Sequence, residues 1–188
     1  QGGAIATFSS STVTITNTTL NNNTATNGGA LHLDSSTTVT ITNTTLNNNT
    51  AEYGGAIRSD HYSGVTITNS TLNNNTATNV GGALYADNLS NVNITNTTLN
   101  NNTANIQGGA IIAYFSSKIT ITNTTLTNNT AGAWGGAVEV TRQSTITIET
   151  STLNNNTAPL AGAIIVRDCP APAESCSAGY STTQTRPG

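Results

Sequence analysis

The chain has 188 residues, a net charge of -3, and only 7% charged and 4% aromatic residues, against a usual charged share of roughly a quarter. That composition excludes a core built from large side chains, and its mild acidity excludes the basic footprint that nucleic acid binding needs. Abundant Thr, Val and Ile at low net charge exclude a disordered chain, and no apolar run approaches the roughly 20 residues of a transmembrane segment.

In chain order, the first unit opens with Gly2-Gly3-Ala4-Ile5. It runs through Val13-Thr14-Ile15-Thr16-Asn17 to Leu20-Asn21-Asn22-Asn23-Thr24-Ala25. The glycine pair returns at Gly28, Gly54, Gly81, Gly108 and Gly135. Ala161-Gly162 takes its place in a seventh copy, so the spacings are 26, 26, 27, 27, 27 and 26. The Val or Ile always follows the first glycine by 11 residues, and the Ala after Asn-Thr lies 12 further on. Only the connection from that Ala to the next glycine pair varies in length, and it reads as the one free loop. A fixed period of this size means stacked units, none of which can bury its apolar face alone.

Within a unit, Ala4-Ile5-Ala6-Thr7 and Val13-Thr14-Ile15-Thr16 alternate like half-buried strands. A further short strand is expected near Thr19-Leu20, and no stretch has a helical period. Thr, Val and Ile favour strands, whereas Asn and Gly favour turns. Three short strands per coil of 26 or 27 residues predict an all-β parallel β-helix (a β-solenoid) over 1–167, with six coils and a partial seventh. Residues 168–188 read as a C-terminal tail or cap. There, Cys169 and Cys176 enclose a short loop with two prolines. That spacing predicts a disulfide and an oxidising, extracellular location.

Stacking puts like on like. Ile5, Leu31, Ile57, Leu84, Ile111, Val138 and Ile164 form one interior column, and Ile15, Ile41, Ile67, Ile94, Ile121 and Ile148 a second. Leu20, Leu46, Leu72, Leu99, Leu126 and Leu153 form a third. Asn23, Asn49, Asn75, Asn102, Asn129 and Asn156 recur at one bend. Their amides hold both donors and an acceptor, so they can bond from rung to rung as an asparagine ladder. Asn17, Asn43, Asn69, Asn96 and Asn123 recur at another bend, where the sixth coil, reading Glu149-Thr150, breaks the column. The many Asn-x-Ser/Thr triplets read as by-products of the repeat, with Asn88 the position that suits a glycan.

Gly-Gly-Ala followed by Ile, Leu or Val, and then Leu-x-x-Asn-x-Ala, resembles the repeat of polymorphic outer membrane proteins of chlamydiae and other microbial surface proteins. That motif is written GGA[ILV] with FxxN; here Leu stands for Phe throughout, as in Leu20-Asn21-Asn22-Asn23, from Gly2 to about Arg167. The resemblance implies a right-handed parallel β-helix on a secreted or cell-surface protein, often adhesive, with no catalytic residues.

Chemistry is expected where the repeat varies, just after Gly-Gly-Ala-Ile. One outward column reads Ala6, His32, Arg58, Tyr85, Ile112, Glu139, and the next Phe8, Asp34, Asp60, Asp87, Tyr114, Thr141. Asp34, Asp60 and Asp87 would stack about 4.8 Å apart, and like charges that close repel unless neutralised. Arg58 can do this; so can a bound cation, with calcium the natural choice for carboxylates. His32 and His61 lie beside them. The face reads as a solvated turn, as a ligand or cation patch, or as an acidic site like those of β-helix polysaccharide lyases and hydrolases. No long insertion walls a cleft, so the protein is read as a non-enzyme with no fixed cofactor. On another face, Thr14, Thr40, Thr66, Asn93, Thr120, Thr147 and Thr16, Thr42, Thr68, Thr95, Thr122, Glu149 form Thr-x-Thr arrays like those of ice-binding β-solenoids.

If Gln1 is a mature end, the first rung is an open edge that the last rung of another copy can cover. That contact does not close and generates a filament. The sequence therefore reads as an extracellular structural β-solenoid. Its expected partners are further copies of itself, head to tail, and surface glycans. Ice binding and polysaccharide binding or cleavage are the alternatives.

Overall fold

A computed structural model describes residues 2–167. All its strand pairs are parallel, and each strand pairs with its counterpart one coil away. The first sheet has seven strands: Ile5–Thr7, Leu31–Leu33, Ile57–Ser59, Leu84–Ala86, Ile111–Ala113, Val138–Thr141 and Ile164–Arg167. The second has six: Thr12–Thr16, Thr38–Thr42, Gly64–Thr68, Asn91–Thr95, Lys118–Thr122 and Thr145–Glu149. A third joins Thr50–Tyr53, Thr76–Val80, Thr103–Ala104 and Thr130–Ala131. The fold is the expected β-solenoid.

The register is the one the repeat demands. Val39, Val65, Val92 and Ile119 pair in series, as do Ile41, Ile67, Ile94 and Ile121. These side chains and Leu46, Leu72, Leu99 and Leu126 are fully buried in one core. Each contributes on the order of 1.5–3 kcal/mol. The Thr19-Leu20 segment is mostly a single parallel bridge per coil; it becomes a strand pair only at Thr125–Thr127 and Thr152–Asn154.

The connection expected to be a free loop is ordered. Between Ala51 and Tyr53 the pairing slips, and Tyr53 pairs with Val80. The extra residue of the longer coils is absorbed there. Register then returns along Asn27, Tyr53, Val80, Gln107, Trp134 and Leu160.

The two glycines of each pair do different work. Gly28, Gly54, Gly81, Gly108 and Gly135 have φ between 55° and 68°, the left-handed region that favours glycine. The second glycine is needed for closeness: a Cβ on Gly55 would lie 2.0 Å from the Gly82 carbonyl oxygen of the next coil.

The asparagine triplet also divides its labour. Asn49 Oδ1 accepts the backbone N–H of Asn23 at 2.9 Å and its amide at 3.1 Å. The Asn49 amide donates onward to Asn75 Oδ1 at 3.2 Å and to the Leu20 carbonyl at 2.9 Å. The buried amide is thus fully paired, as its apolar surroundings require. The middle residue, at Asn22, Asn48, Asn74, Asn101, Asn128 and Asn155, turns the chain at φ of 53° to 59°. The first accepts a backbone N–H from the following coil, as Asn47 Oδ1 does from Asn73 at 2.8 Å. The exposed ladder runs the opposite way, with the Asn43 amide donating to Asn17 Oδ1 at 3.2 Å.

Replacing Asn75 with Ala removes the acceptor of both the backbone N–H and the side-chain amide of buried Asn49 and should cost about 2–4 kcal/mol of unfolding free energy in urea titration. Asn69→Gly keeps a residue that tolerates positive φ and removes only an exposed amide, so it should cost less than about 1 kcal/mol. Equal losses at the two sites would contradict the ladder's assigned role.

Candidate functional site

The outer side of the first sheet is not the flat, solvated surface that alternation suggests. Its central column, His32, Arg58, Tyr85, Ile112, Glu139 and Ile165, is in register from coil to coil. Most of it is buried, Glu139 completely. Tall neighbours do this. On one side stand Tyr53, Val80, Gln107 and Trp134, the column restored by the bulge; on the other stand Tyr114, Thr141 and Arg142. Between them lies a groove of about 340 Å³, floored by Tyr85 and Ile112 and closed at one end by Arg167. The cleft needs no long insertion; large side chains on stacked rungs are enough. Its volume lies at the low end of the roughly 300–1,000 Å³ typical of small-molecule sites.

Aromatic rings and guanidinium groups alternate along it. Tyr53, Tyr85 and Tyr114 follow one another with ring centroids 6.0 and 6.3 Å apart. Arg58 lies over Tyr53 at 5.4 Å and Tyr85 at 5.3 Å. Arg142 covers Tyr114 at 5.3 Å, and Arg167 covers Trp134 at 4.2 Å. These distances allow cation–π attraction.

The expected acidic cluster sits at the other end of this face, already hydrogen-bonded to its neighbours. Arg58 Nη2 donates to Asp60 Oδ2 at 2.7 Å, and the Asn88 amide donates to Asp60 Oδ1 at 2.8 Å. His61 Nδ1 lies 2.8 Å from Asp34 Oδ1 and 3.2 Å from Asp60 Oδ1. Tyr85 donates its hydroxyl proton to Asp87 Oδ2 at 2.7 Å. Asp60 and Asp87 are buried, which departs from the reading of this face as a solvated turn. Among the described residues no group of three or more His, Cys, Asp or Glu is placed to hold a metal ion.

These surroundings split the two carboxyls. Burial pushes Asp60 up, but hydrogen bonds from Asn88 and Arg58 and the Arg58 charge outweigh it, so its pKa is lowered. Burial pushes Asp87 up too, and the Asp60 charge adds to that; its bond from Tyr85 does not offset them, so its pKa is raised. Burial raises Tyr85 as well, reinforced by the Asp87 charge. His32 is pushed down by burial and then by the Arg58 charge. At the far end burial raises Glu139, although Arg167 pairs with its Oε1.

Three buried side-chain atoms among the described residues lack a hydrogen-bond partner: His32 Nδ1, Arg58 Nε and Glu139 Oε2. All belong to the floor column. Buried polar atoms are normally paired, so the exceptions collect in this one column of the outer face.

With this geometry in place, a family model described as a right handed beta helix region matches residues 2–177. The chain belongs to the right-handed β-helix family. No curated protein and no solved structure matches it. The family fixes the hand of this β-helix, and the individual site must be read from its own residues.

The structure gathers Asp34, Asp60, Asp87, Arg58 and His61 into one network, and places His32 on the floor beside Phe8 with ring centroids 5.9 Å apart. Sequence reasoning missed Tyr53, Gln107, Trp134 and Arg142 as parts of a site. Cys169 and Cys176 lie outside the described residues.

A carboxyl-carbon NMR titration should find Asp60 losing its proton below the ordinary 3.8 and Asp87 above it. The signs for stability are opposite. Asp60 stabilises above pH 3.8, and that contribution is lost as pH falls through its lowered folded pKa. The Asp87 contribution is full below pH 3.8 and is lost as pH rises through its raised one. The reverse order of midpoints would contradict this network.

Proposed function

We propose that this β-helix is an extracellular, adhesive protein that binds a glycan chain in the groove of its first sheet. Sugar rings present apolar C–H faces and a rim of hydroxyls. The groove offers aromatic faces on Tyr85, Tyr114 and Trp134 beside guanidinium donors on Arg142 and Arg167. That alternation of stacking surface and hydrogen-bonding group on rigid strands is the observation that carries the reading. The resemblance to polymorphic outer membrane proteins supports the surface location and the adhesive role.

Nearly all the chain's variable chemistry is spent here. Of the aromatic residues before residue 168, all but Tyr62 border this face or contact its residues, as do Arg58, Arg142 and Arg167. Elsewhere on the coils, Asn, Thr and Gly repeat with little change.

A second reading has its own support. On the second sheet Thr40, Thr66, Asn93 and Thr120 stand in register, as do Thr42, Thr68, Thr95 and Thr122. A flat hydroxyl lattice of this kind suits an ordered water surface. Thermal hysteresis from soluble protein supports ice binding; its absence removes that reading.

For the main reading, titration calorimetry with cellohexaose and hexagalacturonate should detect binding of at least one. Trp134→Ala should weaken it about five- to thirtyfold, since a lost aromatic stack and cation–π partner cost on the order of 1–2 kcal/mol. Unchanged affinity in a variant that keeps the fold, or no binding of either probe, would contradict the glycan groove.

A further inference from the structure

After each of the first six strands of the first sheet the chain turns a corner on two residues with positive φ. These are Ser9-Ser10, Ser35-Ser36, His61-Tyr62, Asn88-Leu89, Phe115-Ser116 and Arg142-Gln143, with φ from 43° to 63°. In this region the Cβ of an L residue crowds the following carbonyl; Asn tolerates it, whereas bulky side chains rarely adopt it. The first two coils fill the corner with small serines. From the third coil on, a large residue takes one of the two places, the second at Tyr62 and Leu89 and the first at Phe115 and Arg142.

Burial does not explain the change. Tyr62 is 67% exposed, Leu89 50% and Phe115 43%. These residues meet an unfavourable backbone and still leave apolar surface in water. Departures from local preference without a packing gain mark places where function sets the sequence.

Two of the enlarged corners meet the groove wall. Phe115 meets Tyr114, a groove wall, edge to face with centroids 4.6 Å apart. Arg142 lies over both rings, at 5.1 Å from Phe115 and 5.3 Å from Tyr114. Phe115 and Arg142 therefore carry the groove wall around the edge of the sheet, and Tyr62 and Leu89, at the corners of the two preceding coils, extend the stripe along that edge.

We propose that this stripe is a second contact surface for the groove's ligand, so that a polyhydroxylated chain lies along the helix axis against both. The inference rests on the glycan reading and extends it. The groove holds one part of the chain, and the ridge supports the rest across successive rungs. Bulky residues are kept at a left-handed corner because that corner projects them toward the ligand.

The test uses Tyr62→Asn and Leu89→Asn beside Trp134→Ala, with cellohexaose and hexagalacturonate as probes in calorimetry. Asn relieves the corner and removes the exposed apolar group. Each corner variant should therefore raise Tm by about 2–4 °C while weakening binding of the probe by about tenfold. Corner variants that gain stability yet bind like wild type, with Trp134→Ala still impaired, would overturn the ridge and leave the groove standing. Wild-type binding in all three variants, or no binding of either probe, would overturn both. A fall in Tm for both corner variants would remove the strain premise and overturn the proposal. A chain that meets the ridge without filling the groove would instead lose affinity only in the corner variants, which would contradict the groove reading and the continuity argued here.

Discussion

Most side chains of the inner coils have their own counterpart about 4.8 Å above and below them. That constraint governs which residues the chain can use. Aliphatic groups gain from touching their own kind, which is why Val, Ile and Leu columns fill the core. Amides tolerate it because each can donate to one neighbour and accept from the other. Hydroxyls do so as well: the Thr44 backbone N–H donates to Ser70 Oγ at 3.1 Å, and Ser117 bonds in the same way to Ser144 at 3.0 Å. Charges do not tolerate it. Where Asp60 and Asp87 stand on adjacent rungs, Arg58, His61, Asn88 and Tyr85 have to separate them.

The same constraint explains how so simple a scaffold acquires a concave site. The positions that hold the coil together are fixed by contact with themselves and have little freedom to change. The outer side of the first sheet is released from that demand. There the chain can vary side-chain height from rung to rung, and height alone makes walls and floor. Aromatic and guanidinium groups on rigid strands are held in place before any ligand arrives, which limits the ordering cost of binding. Unpaired polar atoms on the floor and bulky residues at left-handed corners sit in this one region. Among the described residues, the Asn and aliphatic columns show no such unpaired polar atoms, and their one β-branched residue with positive φ is Thr150, where the Asn17 column ends.

Much of this was legible in the sequence, because identical side chains at constant spacing leave few alternatives to stacking. The three aliphatic columns, the Asn23 ladder and the in-register Thr faces all follow from counting. Other features were not. Asn21 and Asn22 look like repeats of Asn23, yet one caps the next coil and the other turns the chain; backbone dihedrals, which a composition cannot express, separate them. The connection before each glycine pair varies in length, and length variation signals a loop, but a bulge near Tyr53 restores the pairing. That hid Tyr53, Gln107 and Trp134 as a wall. A signal was present all the same: in a chain with 4% aromatic residues, nearly all fall in positions the repeat leaves free. The sequence directed attention to the two ends of the rod, and the structure adds a site along its side.

The central claim is that coils meet in one register, held by paired amides inside the bend. The most direct measurement is NMR detection of scalar coupling across hydrogen bonds. The account predicts coupling from the Asn49 backbone N–H to the side-chain carbonyl carbon of Asn75, and from Asn75 to that of Asn102, spanning 26 and then 27 residues. Coupling instead to Asn74 or Asn101, or none in a folded sample, would contradict the register and with it the columns, the groove and the ridge.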